Sequence, residues 1–156
     1  MANADAPRGF WPIRHLTGGT IRTGEYTIAS GYAADIFTGD IVKLVAAGGI
    51  ELSAAGARSV GVFGGVEYTD ASGNVVFKAY WPTGTVATNI KAVVYDDPMT
   101  VFGVQSAGST VAADVGNLGD HVATAGSTST GLSANELNGT TSTAYAGFRV
   151  FGKVNT

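Results

Sequence analysis

The chain contains no cysteine, which excludes a disulfide framework, a zinc site built on thiolates and a thiol nucleophile together. Stability must come from packing and association instead. Charge is scarce as well: Asp, Glu, Lys and Arg make up 13% of the sequence, where an ordinary soluble domain carries about 25%. Combined with 23 glycines and abundant Thr, Ser and Ala, so weakly charged a surface suits a protein that works packed against others, because free monomers rely on charge for solubility. The formal net charge is -3 with the few Lys and Arg scattered, so nothing electrostatic draws the chain to nucleic acid. Residues 1–7 have neither a basic n-region nor an apolar h-region, and no later run approaches the ~18 apolar residues of a membrane span. The expectation is a protein made in a cytoplasm, with no membrane partner and no cofactor.

Helical periodicity is nearly absent, and glycine or a β-branched residue interrupts almost every stretch. At 156 residues one core is expected, and the class is all-β. Ile41 to Val45 reads as a strand, Gly48-Gly49 as its turn and Ile50 to Leu52 as the return partner. Val60 to Tyr68 reads as a long strand whose glycines mark a bulge or a close backbone approach, and residues 70–74 as the next turn. Val75 to Trp81, β-branched and aromatic, is the strongest strand signal and is ended by Pro82. Lys91 to Tyr95 follows, stopped by Asp96-Asp97-Pro98, with Met99 to Gln105 expected to resume antiparallel to it. Tyr145 to Val154 alternates, with Phe148, Val150 and Gly152 on one face and Arg149, Phe151 and Lys153 on the other, and is expected near the middle of the sheet.

Two regions lack this regularity. Residues 1–23 hold large anchor-type side chains without local periodicity and read as an extended arm that docks onto something, leaving 24–156 as a single β domain. Residues 106–143 are rich in Gly, Ser, Thr, Ala and Asn and read as long loops with one or two short strands.

The chemistry-bearing residues are few. His15 and His121 are the two histidines; neither has a recognised ligand spacing, and Asp120-His121 reads as a polar loop or strand pair rather than half of a catalytic pair, because no nucleophile elbow supplies a serine. Asp96-Asp97 lacks the alternating acidic pattern of a calcium loop and reads as a turn. Gly61 to Gly65 matches neither phosphate-binding glycine motif. Asn138-Gly139-Thr140 fits a glycosylation acceptor by sequence but reads as a turn. No constellation of nucleophile, base and orienting group appears, so no catalytic residue, no metal site and no enzyme is expected. Phe10, Trp11, Tyr80, Trp81 and Tyr95 admit two readings, a carbohydrate-stacking platform or ordinary core aromatics, and core filling is the usual fate of large side chains on strands.

The start from Met1 to His15, the segment Phe37-Thr38-Gly39-Asp40-Ile41-Val42-Lys43-Leu44, the stretch Gly61 to Gly65, and the run from Tyr80-Trp81-Pro82 through Tyr95-Asp96-Asp97-Pro98 to Phe102-Gly103-Val104-Gln105 together resemble the head decoration, or cement, proteins of tailed bacteriophages. The resemblance covers residues 1 to about 105 and is one of pattern rather than motif. It implies a compact β-barrel or β-sandwich that sits as a dimer or trimer on the outside of an HK97-type shell, bridging neighbouring copies of the major capsid protein, with an N-terminal arm reaching across a subunit boundary. In that reading Arg8, Phe10, Trp11, Ile13, Arg14 and His15 form the capsid-binding arm. The alternative class is a virion or cell-surface carbohydrate-binding module using exposed aromatics and the loops between Gly108 and Thr143.

Overall fold

A computed structural model describes residues 4–139 and 147–154. Among these the fold is all-β, with one three-residue 3-10 turn at Ala112–Asp114 and no α-helix. Its centre is a six-stranded sheet made of β2 (Gly24–Tyr26), β4 (Ile41–Leu44), β5 (Ile50–Leu52), β6 (Gly61–Asp70), β7 (Val75–Lys78) and β9 (Ala87–Tyr95). Every pairing in it is antiparallel, in the order β2-β9-β6-β4-β5. The ten-residue β6 carries β4 along its first half and β7 along its second on the same edge, with β9 along the other.

The remaining strands pair two by two: β1 (Trp11–His15) with β10 (Thr100–Gly103), β3 (Ile36–Phe37) with β8 (Tyr80–Trp81), β11 (Leu118–Gly119) with β14 (Phe148–Arg149), and β12 (His121–Val122) with β13 (Glu136–Leu137). No sheet among the described residues closes into a barrel. The expected barrel or sandwich is thus replaced by one open sheet with small ribbons packed around it, because two-residue ladders stop where glycine and loop residues break the pleat.

The hairpin β4–β5 forms as the sequence predicts, with Val42 opposite Leu52 and left-handed backbone at Gly48 and Gly49. The glycine-rich strand holds the predicted bulge: the β6–β9 register shifts between Phe63 and Gly65. That extra residue reverses the alternation, so Phe63, Val66 and Tyr68 all reach the main core, which a strict period of two would forbid. This core also takes Ile28, Ile36, Val42, Ile50, Trp81, Ala92 and Val94. A second cluster of Phe10, Ile41 and Val62, flanked by Tyr95, Phe102, Val104 and Phe148, holds side chains next in sequence to core residues of the first. Neighbouring residues of a strand point to opposite faces, so Ile41-Val42 and Val62-Phe63 mark the end of the sheet that is covered on both sides.

Three strand assignments differ from expectation. Val75 to Trp81 breaks at Ala79 into β7 and β8, because the Ala79 carbonyl is taken by the backbone N–H (3.1 Å) and hydroxyl of Thr38 rather than by β6. Thr100–Gly103 pairs with the N-terminal β1, not with β9. The C-terminal strand does not enter the central sheet: Tyr145 and Ala146 lie outside the described residues, Phe148–Arg149 pairs with Leu118–Gly119, and Phe151 and Val154 are exposed. Phe148 is captured instead by a ring contact with Phe10, with centroids 4.6 Å apart.

Candidate docking surface

The N-terminal segment is folded onto its own chain. Gln105 donates through Nε2 to Asp5 Oδ1 at 3.0 Å, and its Oε1 accepts the Ala6 N–H at 3.3 Å. Gly9 then passes so close to the Gly39 carbonyl and to Ser133 that a Cβ would overlap both, and its φ of +74° suits glycine. The Phe10 N–H donates to the Gly39 carbonyl at 3.0 Å, and the Phe10 ring, 2% exposed, fills the second core cluster. Expected as an interface anchor, Phe10 is a core residue of this chain, because Phe148, Ile41 and Val62 offer it complete burial at home.

β1 pairs antiparallel with β10: Trp11 faces Gly103, Pro12 faces Phe102, Arg14 faces Val101 and His15 faces Thr100. Ile13 has no opposite residue, so it is a bulge. The Trp11 indole lies over Gly103, where any side chain would overlap the ring, and the Arg8 guanidinium sits 4.1 Å above the ring centroid, an attractive stack of cation on π face. His15 is held on both sides, by Asp97 Oδ2 at 3.2 Å from Nε2 and by Thr17 Oγ1 at 2.8 Å from Nδ1. Asp97 also accepts the Met99 N–H at 2.9 Å, and this bond, ahead of its contact with His15, holds its carboxyl below the usual range.

The six expected docking residues therefore divide. Phe10 and the body of Trp11 are used internally, and His15 is tied to the turn after β9. Ile13, 55% exposed, and Arg14 stand outward at the bulge, with Arg8 beside them over Trp11. Below Arg8 and Trp11 opens a cleft of ≈ 230 Å³, lined also by Pro12, Thr38, Tyr95 and Leu132.

The other singled-out residues have structural partners. Asp96 accepts the Tyr26 hydroxyl at 2.7 Å, so the Asp96-Asp97 pair splits, one carboxylate to β2 and one to β1. His121 is buried, with Nδ1 3.2 Å from Asp120 Oδ1 and Nε2 3.1 Å from the Ser53 carbonyl. Trp81 is fully buried, Tyr80 stacks on Phe37, and Tyr95 meets Phe102 edge-on. Of the five aromatics of the stacking-platform reading, Phe10, Trp11 and Tyr95 line the cleft below Arg8, while Tyr80 and Trp81 pack against Phe37 and Tyr68.

Two further features are not marked in the sequence. Asp40 is buried in the turn between β3 and β4, with its Oδ2 accepting the Phe37 N–H at 2.7 Å and its Oδ1 accepting the Ser133 hydroxyl at 2.5 Å; burial pushes its carboxyl up to about 6. No local motif marks a partner so distant in sequence. The second is the outer face at the β7 end of the sheet, where Val75 and Phe77 are bare; their alternation was legible, but which face it served was not.

Compared with family models, curated protein sequences and solved structures, the chain matches none.

Proposed function

We propose that this protein is a structural virion protein that binds the outside of an icosahedral phage capsid and bridges neighbouring major capsid protein subunits. The resemblance of residues 1 to about 105 to phage decoration proteins suggests the class. The observation that carries the surface is the bulge at Ile13: an apolar side chain and an arginine are displayed on a strand whose base is locked by Phe10, Trp11 and Gly103. A rigid, sparsely charged patch of this kind binds by burying area rather than by chemistry, and many copies on one shell make the attachment multivalent. Ile13 supplies apolar contact, while Arg14 and Arg8 supply planar donors suited to carboxylates or carbonyls on a shell surface.

Deleting residues 1–15 is a poor test, since it removes Phe10 from the core. The sharper variant is Ile13→Asp with Arg14→Glu. Wild-type protein should cosediment saturably with expanded shells lacking it and appear by cryo-EM at capsomer junctions, and the double variant should lose binding about a hundredfold while melting unchanged. No binding by the wild type would overturn the function, and a glycan array is then the measurement that speaks for the carbohydrate-binding alternative. Equal binding by the variant would overturn the surface.

A further inference from the structure

The central sheet is covered unevenly. The segment entering β1, together with β10 and β14, brings Phe10, Phe102 and Phe148 over the outer face at Ile41, Val62 and Tyr95. At the other end, among the described residues, β7 is paired on one edge only, and Val75 (60% exposed) and Phe77 (74% exposed) project from the uncovered face. Natural edge strands are protected by proline, inward charge, a bulge or a covering loop. Val75–Lys78 has no proline, no bulge in its pairing with β6 and one charge, at its end.

Among the described residues the backbone of this edge is also free. At the hairpin turn the Asp70 N–H donates to the Asn74 carbonyl at 2.9 Å, which fixes the alternation of the ladder. With Thr69 opposite Val75 and Glu67 opposite Phe77, the N–H and C=O groups of Val75 and Phe77 turn away from β6. Among the described residues no other backbone bond engages them.

We propose that β7 is a self-association edge, and that a second copy of this chain adds its own β7 antiparallel across a two-fold axis at Val76. The register follows from which groups are free. With Val76 opposite its own copy, Val75 of each chain faces Phe77 of the other, and all the outward groups pair in about four N–H···O=C bonds. The apolar side chains then meet on the uncovered face, and Lys78 meets the neutral Asn74 rather than a like charge. Centring on Phe77 would need the Ala79 carbonyl, which Thr38 already holds. Centring on Val75 would need Gly73, whose N–H is spent on Asp70. The pairing is isologous and closes on itself, so it predicts a dimer, not a fibre or a trimer. It rests on the self-association that the resemblance to decoration proteins implies and supplies its surface, which lies on a different strand from the Ile13 bulge.

The test uses the isolated full chain without shells. Sedimentation velocity should show a concentration-dependent dimer, and Phe77→Lys, which alters an exposed side chain, should weaken it about tenfold or more at an unchanged melting temperature. Since the chain has no cysteine, Val76→Cys should form an interchain disulfide under mild oxidation faster than Phe77→Cys, because only residue 76 meets its own copy. A monomer at all concentrations, a trimer, or faster cross-linking of Phe77→Cys would each overturn the interface. Such a failure is separable from failure of the capsid reading, which the Ile13 variant reports.

Discussion

Ser133 donates its hydroxyl to Asp40 Oδ1 at 2.5 Å, joining residues 93 apart in sequence inside the protein. Ser133 Oγ in turn accepts the Asn135 N–H at 2.9 Å, and the Ser133 N–H donates to the Thr38 carbonyl, also at 2.9 Å. These bonds tie the long Gly/Ser/Thr-rich loop to the turn that opens β4. Burial dominates the Asp40 carboxyl and outweighs the hydrogen bonds from Ser133 and Phe37 that favour its charged form.

A specific pH dependence results. Asp40 titrates at about 6 in the folded protein against an ordinary 3.8, so between these values the folded state binds more protons than the unfolded one. Its contribution is therefore most favourable below pH 4 and is lost as pH rises through 6, to the extent of roughly 3 kcal/mol. Asp40→Asn keeps an oxygen for Phe37 and can donate its amide to Ser133. The difference between wild-type and variant stability in denaturant melts at pH 4 and pH 7 should show this slope, and parallel curves would contradict it.

Phe10 and Ile13 are three residues apart and should behave oppositely. Phe10→Ala opens a cavity beneath Phe148 and should cost about 3–5 kcal/mol. Ile13→Ala, at an exposed bulge, should stay within roughly ±0.5 kcal/mol. Chemical denaturation of the two variants checks the assignment of the N-terminal segment to the fold.

Gly103→Ala places a methyl where the Trp11 indole lies. The strand β1 must shift or the indole must leave, at a cost of about 1–3 kcal/mol. Near-UV circular dichroism and tryptophan emission should report a changed environment for Trp11, and unchanged spectra would show that the ring does not sit over Gly103.

Asp70 organises the turn that presents β7: its Oδ1 accepts the N–H groups of Ser72 and Asn74, each at 2.9 Å. These bonds, that from Asn74 foremost, hold its carboxyl below the ordinary range, so the turn gains from its charge at neutral pH and loses that gain as the group protonates in acid. Asp70→Ala should speed amide exchange at Val76 and Lys78, the residues bonded to β6, while leaving β9 amides protected.

Much of the fold was legible in local sequence. The β4–β5 hairpin, the bulged glycine strand and the turn at 70–74 follow from β-branched runs punctuated by turn residues, whose determinants lie within a few positions of one another. The division of the docking residues was not. Phe10 and Ile13 are both large, apolar and embedded in the same irregular segment, and nothing local tells which is turned inward; only the approach of Phe148 and Gly103 from the far half of the chain decides it. Composition and short-range pattern determined the all-β class and most strand positions. Tertiary structure alone decided that β10 pairs with β1, that Ser133 closes on Asp40 and that Val75 and Phe77 are left bare, because each depends on long-range partners that local propensity does not encode.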